Sequence, residues 1–225
     1  MTAASSRAHA AALRAEGLRV EYGAVVALHR IDLSVEPGRM VAVTGPSGAG
    51  KSSLLWALAG ALTPAAGTVS LDGTRVTGRR QAASLGVAII PQGNALSSAL
   101  TAHENVLVPL LAAGVPAREA ADRAMAALTT VGLEESGGHL VEELSGGQQQ
   151  RAAIARTLAA RASVLLADEP TSDLDSANRQ RVIDALRRQA ADGAVVVMST
   201  HDPEAAAQAD AELALDEGRM TWALR

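Results

Sequence analysis

The chain has 225 residues and a net charge of −4, and 48% of its residues are hydrophobic. This length and composition are typical of one folded α/β domain and exclude a disordered chain. The absence of cysteine excludes disulfides and thiolate metal sites, the acidic balance argues against nucleic acid as a partner, and no apolar stretch reaches the roughly 18 residues of a membrane span.

The first third of the chain predicts a tail followed by strands and one helix. Residues 1 to about 14 are small, polar and alanine-rich, and we predict a disordered tail there. Leu18–Tyr22 and Ile31–Val35 alternate apolar and polar residues, as half-buried strands do. The continuous apolar run Met40–Thr44 predicts a buried central strand, and residues 51–61 predict a helix.

The remaining two thirds alternate between strand and helix patterns around an alanine-rich middle. Strands are predicted over 68–71, 86–90, 164–167 and 194–199, and helices over 117–131, 148–161, 177–191 and 203–209. This alternation predicts an α/β fold with a mostly parallel sheet and helices on its faces. We predict a single domain over residues 15–225, with a helical insert at about 93–150.

A glycine-rich segment between the predicted strand and helix matches the phosphate-binding pattern G-x-x-x-x-G-K-[ST]. Glycines allow backbone N–H groups to converge on phosphate oxygens, and the helix N-terminus adds partial positive charge. Lys51, the only lysine of the chain, supplies a charge for the β- and γ-phosphates, Ser52 a hydroxyl for Mg²⁺, and Ser53 a contact to the α-phosphate. The predicted nucleotide-binding residues are Gly45, Pro46, Ser47, Gly48, Ala49, Gly50, Lys51, Ser52 and Ser53.

Two consecutive acids follow the predicted strand 164–167. Ligands of open α/β sheets bind beyond the carboxyl ends of the strands, so Asp168 and Glu169 should reach the same pocket as the glycine-rich loop. Asp168 would hold Mg²⁺ through water, and Glu169 would orient or deprotonate the attacking water. The alternative is an acidic strand end that caps the next helix.

The segment Leu144-Ser145-Gly146-Gly147-Gln148, followed by Gln149-Gln150-Arg151, resembles the signature of ATP-binding-cassette (ABC) ATPases. The other motifs occur in the order of that family, and the resemblance spans roughly residues 18–220. Ser145 precedes a helix, so its hydroxyl and the two glycine N–H groups form another anion site. The alternative reading of Ser145 is a helix N-cap with glycines for a tight entry.

The resemblance assigns roles to further single residues. Tyr22 matches the aromatic residue that stacks on adenine, and Gln92 matches the glutamine that senses the γ-phosphate and Mg²⁺. Asp175 belongs to the loop Ser172–Asp175, which matches the loop that crosses the dimer interface. His201 matches the switch histidine on the γ-phosphate. The signature residues Ser145, Gly146, Gly147 and Gln148 are implied to contact nucleotide.

The same resemblance implies the fold, the reaction and the partners. It implies a P-loop NTPase core with an N-terminal antiparallel β subdomain and an inserted α-helical subdomain. It implies an enzyme that binds ATP and Mg²⁺ and hydrolyses ATP, within an ATP-dependent head-to-tail homodimer or a pair with a second ABC subunit. An integral-membrane permease on a separate chain is the implied partner, which places the protein on the cytoplasmic face of the cell membrane.

Four short stretches suggest a subfamily: Leu100–Ala102, Glu104–Val106, Pro109–Leu111 and Gly114–Pro116. Together with Leu166–Thr171 they resemble the lipoprotein-release and macrolide-export type of ABC ATPase. The resemblance to that type implies that the protein drives export or extraction by its permease.

Other functions remain as alternatives. A soluble ABC-type ATPase could regulate a non-transport complex, but translation-type members usually carry two cassettes and DNA-repair members a long coiled coil. A GTPase normally needs Asn-Lys-x-Asp, and the sole lysine is already Lys51. The apolar stretch Val106–Val115 is either a permease-contacting surface or a buried helix of the insert.

Overall fold

The computed structural model describes residues 11–224. In chain order the elements are β1 (Leu13–Tyr22), β2 (Val25–Val35), β3 (Met40–Thr44), α1 (Lys51–Leu58), β4 (Ala66–Leu71), β5 (Thr74–Arg75), α2 (Arg79–Ser84), β6 (Val87–Ile90), α3 (Ala102–Ala112), α4 (Ala117–Thr130), α5 (Gly146–Ala159), β7 (Val164–Asp168), α6 (Ser176–Ala191), β8 (Val195–Ser199), α7 (Pro203–Ala206), β9 (Ala211–Asp216) and β10 (Arg219–Leu224). A short 3₁₀ turn, Val141–Glu143, precedes α5.

The strands form two sheets. The first sheet is antiparallel, in the order β2-β1-β4-β5. The second has the order β10-β9-β3-β8-β7-β6 and is parallel except for β10, which pairs antiparallel with β9. The predicted α/β fold, with its mostly parallel core sheet and N-terminal antiparallel sheet, is confirmed.

Some element bounds differ from the sequence prediction. The tail predicted through residue 14 is wrong at its end, because Leu13 and Arg14 pair with Val35 and Ser34 at the start of β1. Residues 1–10 of that predicted tail lie outside the described residues. Helix α2 was not predicted, and α7 ends at Ala206, well before the predicted residue 209.

The central sheet is buried on both faces, which explains its continuous apolar strands. In β3, Met40 and Ala42 pack into one core, whereas Val41 and Val43 pack into the other. Strands β7 and β8 divide their residues in the same way, since successive side chains of a strand point to opposite faces. One core holds the helices α3 to α6, and the other holds α1 and the antiparallel sheet.

The residues between β6 and β7 form the helical layer. Helices α3 and α4 both pack on α5. Buried Asn105 fixes the entry to α3, because its side chain accepts from the Ser97 N–H and donates to the carbonyls of Ser97, Leu100 and Thr101.

Helix α3 has one buried and one exposed apolar face. Val106 and Leu110 are buried in the core, whereas Val108 and Leu111 are exposed. The stretch 106–115 therefore provides both core residues and an apolar surface. Within residues 11–224, no helix is long and apolar enough to cross a bilayer.

The parallel register brings several chain segments to one edge of the central sheet. At the carboxyl ends of these strands, Asp168 of β7 pairs with Ser199 of β8, and Ala167 of β7 pairs with Ile90 of β6. The glycine-rich loop leaves the carboxyl end of β3, the neighbour of β8. Polar residues that are far apart in the sequence consequently meet at this edge.

We expect Gly67→Ala to destabilise the fold more than Gly73→Ala. Both glycines have positive φ, 85° and 75°, so each substitution places alanine in the left-handed region at a cost of about 1–2 kcal/mol. A Cβ on Gly67 would also lie 2.4 Å from the Gly17 carbonyl oxygen, whereas a Cβ on Gly73 meets nothing within 4 Å.

The backbone clash should therefore add about 1–3 kcal/mol for Gly67→Ala. Urea unfolding of both variants and the wild type measures the difference. Equal losses of unfolding free energy would contradict the close approach of β4 to β1.

Candidate functional site

The glycine-rich loop between β3 and α1 has a backbone that only glycine fits at two positions. Gly45 and Gly50 have φ of 141° and 102°. A Cβ would lie 2.1 Å from the Leu215 oxygen at Gly45, and 2.6 Å from the Ala27 oxygen at Gly50. The loop is thus packed tightly against β9 and β2, and its conformation is set by the surrounding backbone.

Lys51 begins α1 and folds back over this loop. Its Nζ donates to the carbonyl oxygens of Gly45 (2.8 Å) and Pro46 (3.2 Å) and lies 3.8 Å from Oε1 of Glu169. No side chain of the described residues caps the first turn of α1, so its N–H groups face the loop uncapped. A largely buried ammonium group beside an uncapped helix N-terminus is suited to bind phosphate.

The two acids at the end of β7 share one buried hydroxyl. Ser199 Oγ donates to Asp168 Oδ1 (2.6 Å) and accepts from the Glu169 N–H (2.9 Å). Ser52 Oγ also donates to Asp168 Oδ1, at 3.1 Å. Asp168 is therefore held by hydroxyl groups from α1 and β8.

The donor set around Asp168 fits Mg²⁺. A serine hydroxyl and a carboxylate are hard oxygen ligands, and Mg²⁺ is commonly held by one or two protein groups together with substrate phosphates. Among residues 11–224, no group of three or more His, Asp or Glu side chains could hold a metal ion. Ser52 and Asp168 are thus suited to a metal that arrives with a nucleotide.

The Glu169 carboxylate lies between a lysine and a histidine. One oxygen lies 3.8 Å from Lys51 Nζ, and the other lies 2.9 Å from His201 Nδ1. Because an ionised carboxylate only accepts hydrogen bonds, this contact assigns the proton of neutral His201 to Nδ1. The His201 side chain is 68% exposed, so the ring remains open to a ligand.

Tyr22 lies beside the start of α1, although it ends the antiparallel strand β1. Its phenol oxygen is 3.2 Å from Ser53 Oγ, and the residue is 53% exposed. An exposed aromatic ring next to a phosphate loop can stack on a nucleobase.

Gln92 follows β6 by two residues. Ile90, the last residue of β6, pairs with Ala167 in β7, so Gln92 lies at the same sheet edge as the two acids. Its side chain is exposed.

The signature segment lies at the N-terminus of α5. Ser145 Oγ accepts from the Gln148 N–H (3.3 Å), and Gln148 Oε1 accepts from the Ser145 N–H (2.8 Å), which makes a capping box. Gln148 also donates to Ser136. Within the described residues, these side-chain hydrogen bonds do not reach the loop 45–52. Gly146 and Gly147 begin the helix.

Asp175 caps the N-terminus of α6. Its two carboxylate oxygens accept from the Asn178 N–H (2.9 Å) and from Asn178 Nδ2 (2.6 Å). These hydrogen bonds lower the pKa of Asp175, first the backbone bond and then the side-chain bond. Within the described residues, these hydrogen bonds tie Asp175 to the start of α6 and do not involve the cluster around Lys51.

Side-chain contacts connect some of the predicted site residues to one another, but not all of them. Contacts join Lys51, Ser52, Ser53, Asp168, Glu169, His201 and Tyr22 around the glycine-rich loop. These contacts do not include Ser145 to Gln148 or Asp175, whose side-chain bonds cap the starts of α5 and α6.

Sequence reasoning missed two polar residues of the site. Ser199 is fully buried between the acids, and Gln150 is buried with its amide directed at the Glu169 carbonyl. A polar residue at the end of the apolar strand 194–199 was the available signal for Ser199. Gln150 gave no comparable local signal, since its neighbours Gln148 and Gln149 are identical in type.

Comparisons with known proteins agree on one family. The profile of the family described as ABC transporter matches residues 28–172. The lipoprotein-releasing system ATP-binding protein LolD of Ruegeria pomeroyi is 43% identical over 221 residues, which cover 93% of this chain and 96% of that protein. The macrolide export ATP-binding/permease protein MacB 1/2 of Paracoccus denitrificans is 41% identical over 217 residues, 92% of this chain and 32% of that protein.

A solved structure has the same fold over nearly the whole chain. The dimeric post-hydrolysis state of the ATP-binding cassette MJ0796, bound to ADP and Pi, superposes with a TM-score of 0.87 at 30% sequence identity. The match covers 94% of this chain and 98% of that chain.

We expect Ser199→Ala to lower nucleotide turnover about tenfold with little change in nucleotide affinity. The substitution removes the hydroxyl that holds both Asp168 and Glu169, and it leaves buried polar groups with fewer partners. Steady-state kinetics and a binding titration separate the two quantities. Ser84→Ala, which removes an exposed hydroxyl on α2, is the control. Wild-type turnover in Ser199→Ala would contradict the role of this hydroxyl.

We expect Asp175→Asn to reduce stability at neutral pH but not in acid. The pKa of Asp175 is lowered from 3.8 in the folded chain, so its charged form adds stability above that pH, and this stability is lost as the pH falls through the lower folded pKa. Asparagine keeps the cap but lacks the charge. Urea unfolding at pH 7 and at successively lower pH values measures the difference from wild type. A difference that is constant with pH would contradict this assignment.

Proposed function

Because the chain belongs to the ABC transporter family as an ATP-binding and ATP-hydrolysing subunit, we propose that the loop around Lys51 and the acids Asp168 and Glu169 form one half of its ATP site. The observation that carries the proposal is the Glu169 carboxylate, held between Lys51 Nζ and His201 Nδ1. The Glu169 carboxylate, which can accept a proton, thus lies beside the Lys51 ammonium group, which can bind phosphate.

The loop residues 45–53 bind the triphosphate in this proposal. Lys51 Nζ, now bonded to the carbonyls of Gly45 and Pro46, turns to the β- and γ-phosphates. The uncapped N–H groups of α1 add further donors. Ser52 and Asp168 would hold Mg²⁺, which supplies charge neutralisation and orientation of the phosphate oxygens when bound.

The adenine ring stacks on Tyr22, the only tyrosine of the chain and an exposed one. The contact of its phenol with Ser53 fixes the ring beside the phosphate loop. Stacking of this kind contributes about 1–3 kcal/mol to affinity and is tolerant of base identity.

Glu169 accepts the proton of the attacking water at a carboxylate oxygen. His201 holds the other carboxylate oxygen through Nδ1–H and presents the far edge of its ring to the γ-phosphate. Gln92, two residues after the end of β6, would orient the water and help to hold the metal from the edge of the neighbouring strand. Positioning and charge neutralisation carry most of the rate in phosphoryl transfer, so these contacts set the turnover.

The second half of the site comes from another copy of the chain or from a second ABC subunit. Ser145 caps α5 and Gly146 and Gly147 begin it, and the side-chain bonds of this cap do not involve the loop 45–52. A head-to-tail pair would place this helix N-terminus, with its partial positive charge, against the γ-phosphate bound by the partner. ATP then joins the two subunits, and hydrolysis releases them.

An integral-membrane permease on a separate chain is the partner of this subunit, and it holds the protein at the cytoplasmic face of the cell membrane. The similarity to LolD and MacB favours a permease that works in export or extraction. The exposed face of α3, with Val108 and Leu111, supplies an apolar surface for that contact. In the chain this surface comes after Gln92 and after the loop that Asn105 fixes at the start of α3.

We expect Glu169→Gln to bind ATP·Mg²⁺, lose about 10²–10⁴-fold in turnover and dimerise with ATP. The amide cannot accept the water proton, so the ATP-bound state accumulates. Static light scattering with and without ATP·Mg²⁺ measures the mass, and phosphate release measures turnover.

Lys51→Ala is the control, because it should lose tight ATP binding and remain monomeric under the same conditions. A monomer of Glu169→Gln at concentrations where ATP binding is demonstrated would contradict a site completed by a second copy of this chain. Retained turnover would contradict Glu169 as the proton acceptor.

A further inference from the structure

Gln150 is a buried polar residue on the helix that begins with the signature segment. It lies in α5, five residues after Ser145, and is 5% exposed. Its Nε2 donates to the main-chain carbonyl of Glu169 at 3.2 Å, and Ser172 Oγ lies 3.5 Å away. The bond spans from the helical layer to the residue directly after β7.

The orientation of this amide is fixed by chemistry. A main-chain carbonyl oxygen only accepts hydrogen bonds, so Gln150 must direct Nε2 and not Oε1 at Glu169. Its Oε1 is buried and has no hydrogen-bond partner among the described residues. A buried unpaired acceptor costs free energy. The residue therefore keeps its bond to Glu169 at the expense of an unpaired oxygen.

The backbone of Glu169 needs such support. Its φ is +49°, in the left-handed region that side-chain-bearing residues rarely adopt. The Glu169 N–H is bound by Ser199, and its carbonyl accepts from Gln150 and Ser172. Strained backbone persists where surrounding contacts over-determine it, and these contacts set the direction of the carboxylate.

We propose that Gln150 is a positioning residue that fixes the Glu169 carboxylate by tying its backbone to α5. This inference rests on the proposed role of Glu169 as proton acceptor. Gln150 does not touch the groups that bind phosphate, so it acts only through Glu169. Because α5 also carries Ser145 to Gly147 at its start, a displacement of that surface reaches Glu169 in the same chain through this bond.

Gln150→Met tests the proposal, because it keeps the length of the side chain but removes the donor and the unpaired oxygen. We expect kcat to fall about 10- to 100-fold, as for a misplaced catalytic group, while ATP affinity stays at the wild-type value. The thermal midpoint should stay close to that of the wild type, because loss of the bond to Glu169 is offset by removal of the unpaired acceptor. A purely structural role would instead lower the midpoint.

The matched control is Gln149→Met, one residue earlier on the same helix. Gln149 Nε2 also donates to two main-chain carbonyls, those of Val141 and Leu144, but it does not contact Glu169. We expect its kcat to stay within about twofold of the wild type. A loss equal to that of Gln150→Met would overturn the proposal, since it would reflect the helix and not the bond to Glu169.

The decisive comparison places Gln150→Met in the Glu169→Gln background, with single-turnover hydrolysis of radiolabelled ATP as the measurement. If Gln150 acts through the carboxylate, the double variant should hydrolyse ATP as slowly as Glu169→Gln alone. Multiplied losses, or an unchanged kcat in Gln150→Met alone, would overturn the inference and leave the proposed function standing. Retained turnover in Glu169→Gln alone would overturn the proposed function itself.

Discussion

The parallel pairing of β7 with β8 places Asp168 beside Ser199, and the geometry of the site depends on this pairing. The Ser199 hydroxyl then holds Asp168 and the N–H of Glu169 at the same time. Consecutive side chains of a regular strand point to opposite faces. A regular strand would therefore direct Asp168 and Glu169 to opposite faces of the sheet. Because β7 ends at Asp168 and Glu169 adopts a left-handed backbone, both carboxylates instead lie at one site.

The Lys51 ammonium group and the N-terminus of α1 together favour the binding of an anionic ligand. Lys51 is largely buried, and its ammonium group is held by two loop carbonyls and by Glu169. A triphosphate offers the same ammonium group a greater negative charge, at a helix N-terminus that also favours anions. The capping bonds of Ser145 do not involve this cluster, and in the proposed function the signature segment of a partner supplies the second half of the site.

Helix α5 connects the parts of the molecule that have to work together. It begins with the signature segment, packs on α3 and α4, and contacts Glu169 through Gln150. Arg151, the next residue, donates to the carbonyls of Val131 and Gly132 at the end of α4. Helix α5 therefore connects the helical layer, which exposes Val108 on α3, to the proposed hydrolytic site.

The sequence by itself determined the parts of the protein whose physics is local. The loop 45–52 is one contiguous pattern in which the glycines, Lys51 and Ser52 each have a stated task, and the alternating strands and helices predicted the sheet. Tyr22, Gln92 and His201 could be named only from their order within the family, because a lone polar or aromatic residue has many ordinary roles.

Only the tertiary structure decided which distant residues touch. Ser199 and Gln150 contact the acids from 31 and 19 residues away in the chain, and no local pattern encodes such a contact. The start of β1 was misjudged for the same reason, because Leu13 is ordered by pairing with Val35 and Leu71 and not by its alanine-rich neighbours. Local propensity is weak in such segments, and long-range pairing and burial determine their structure.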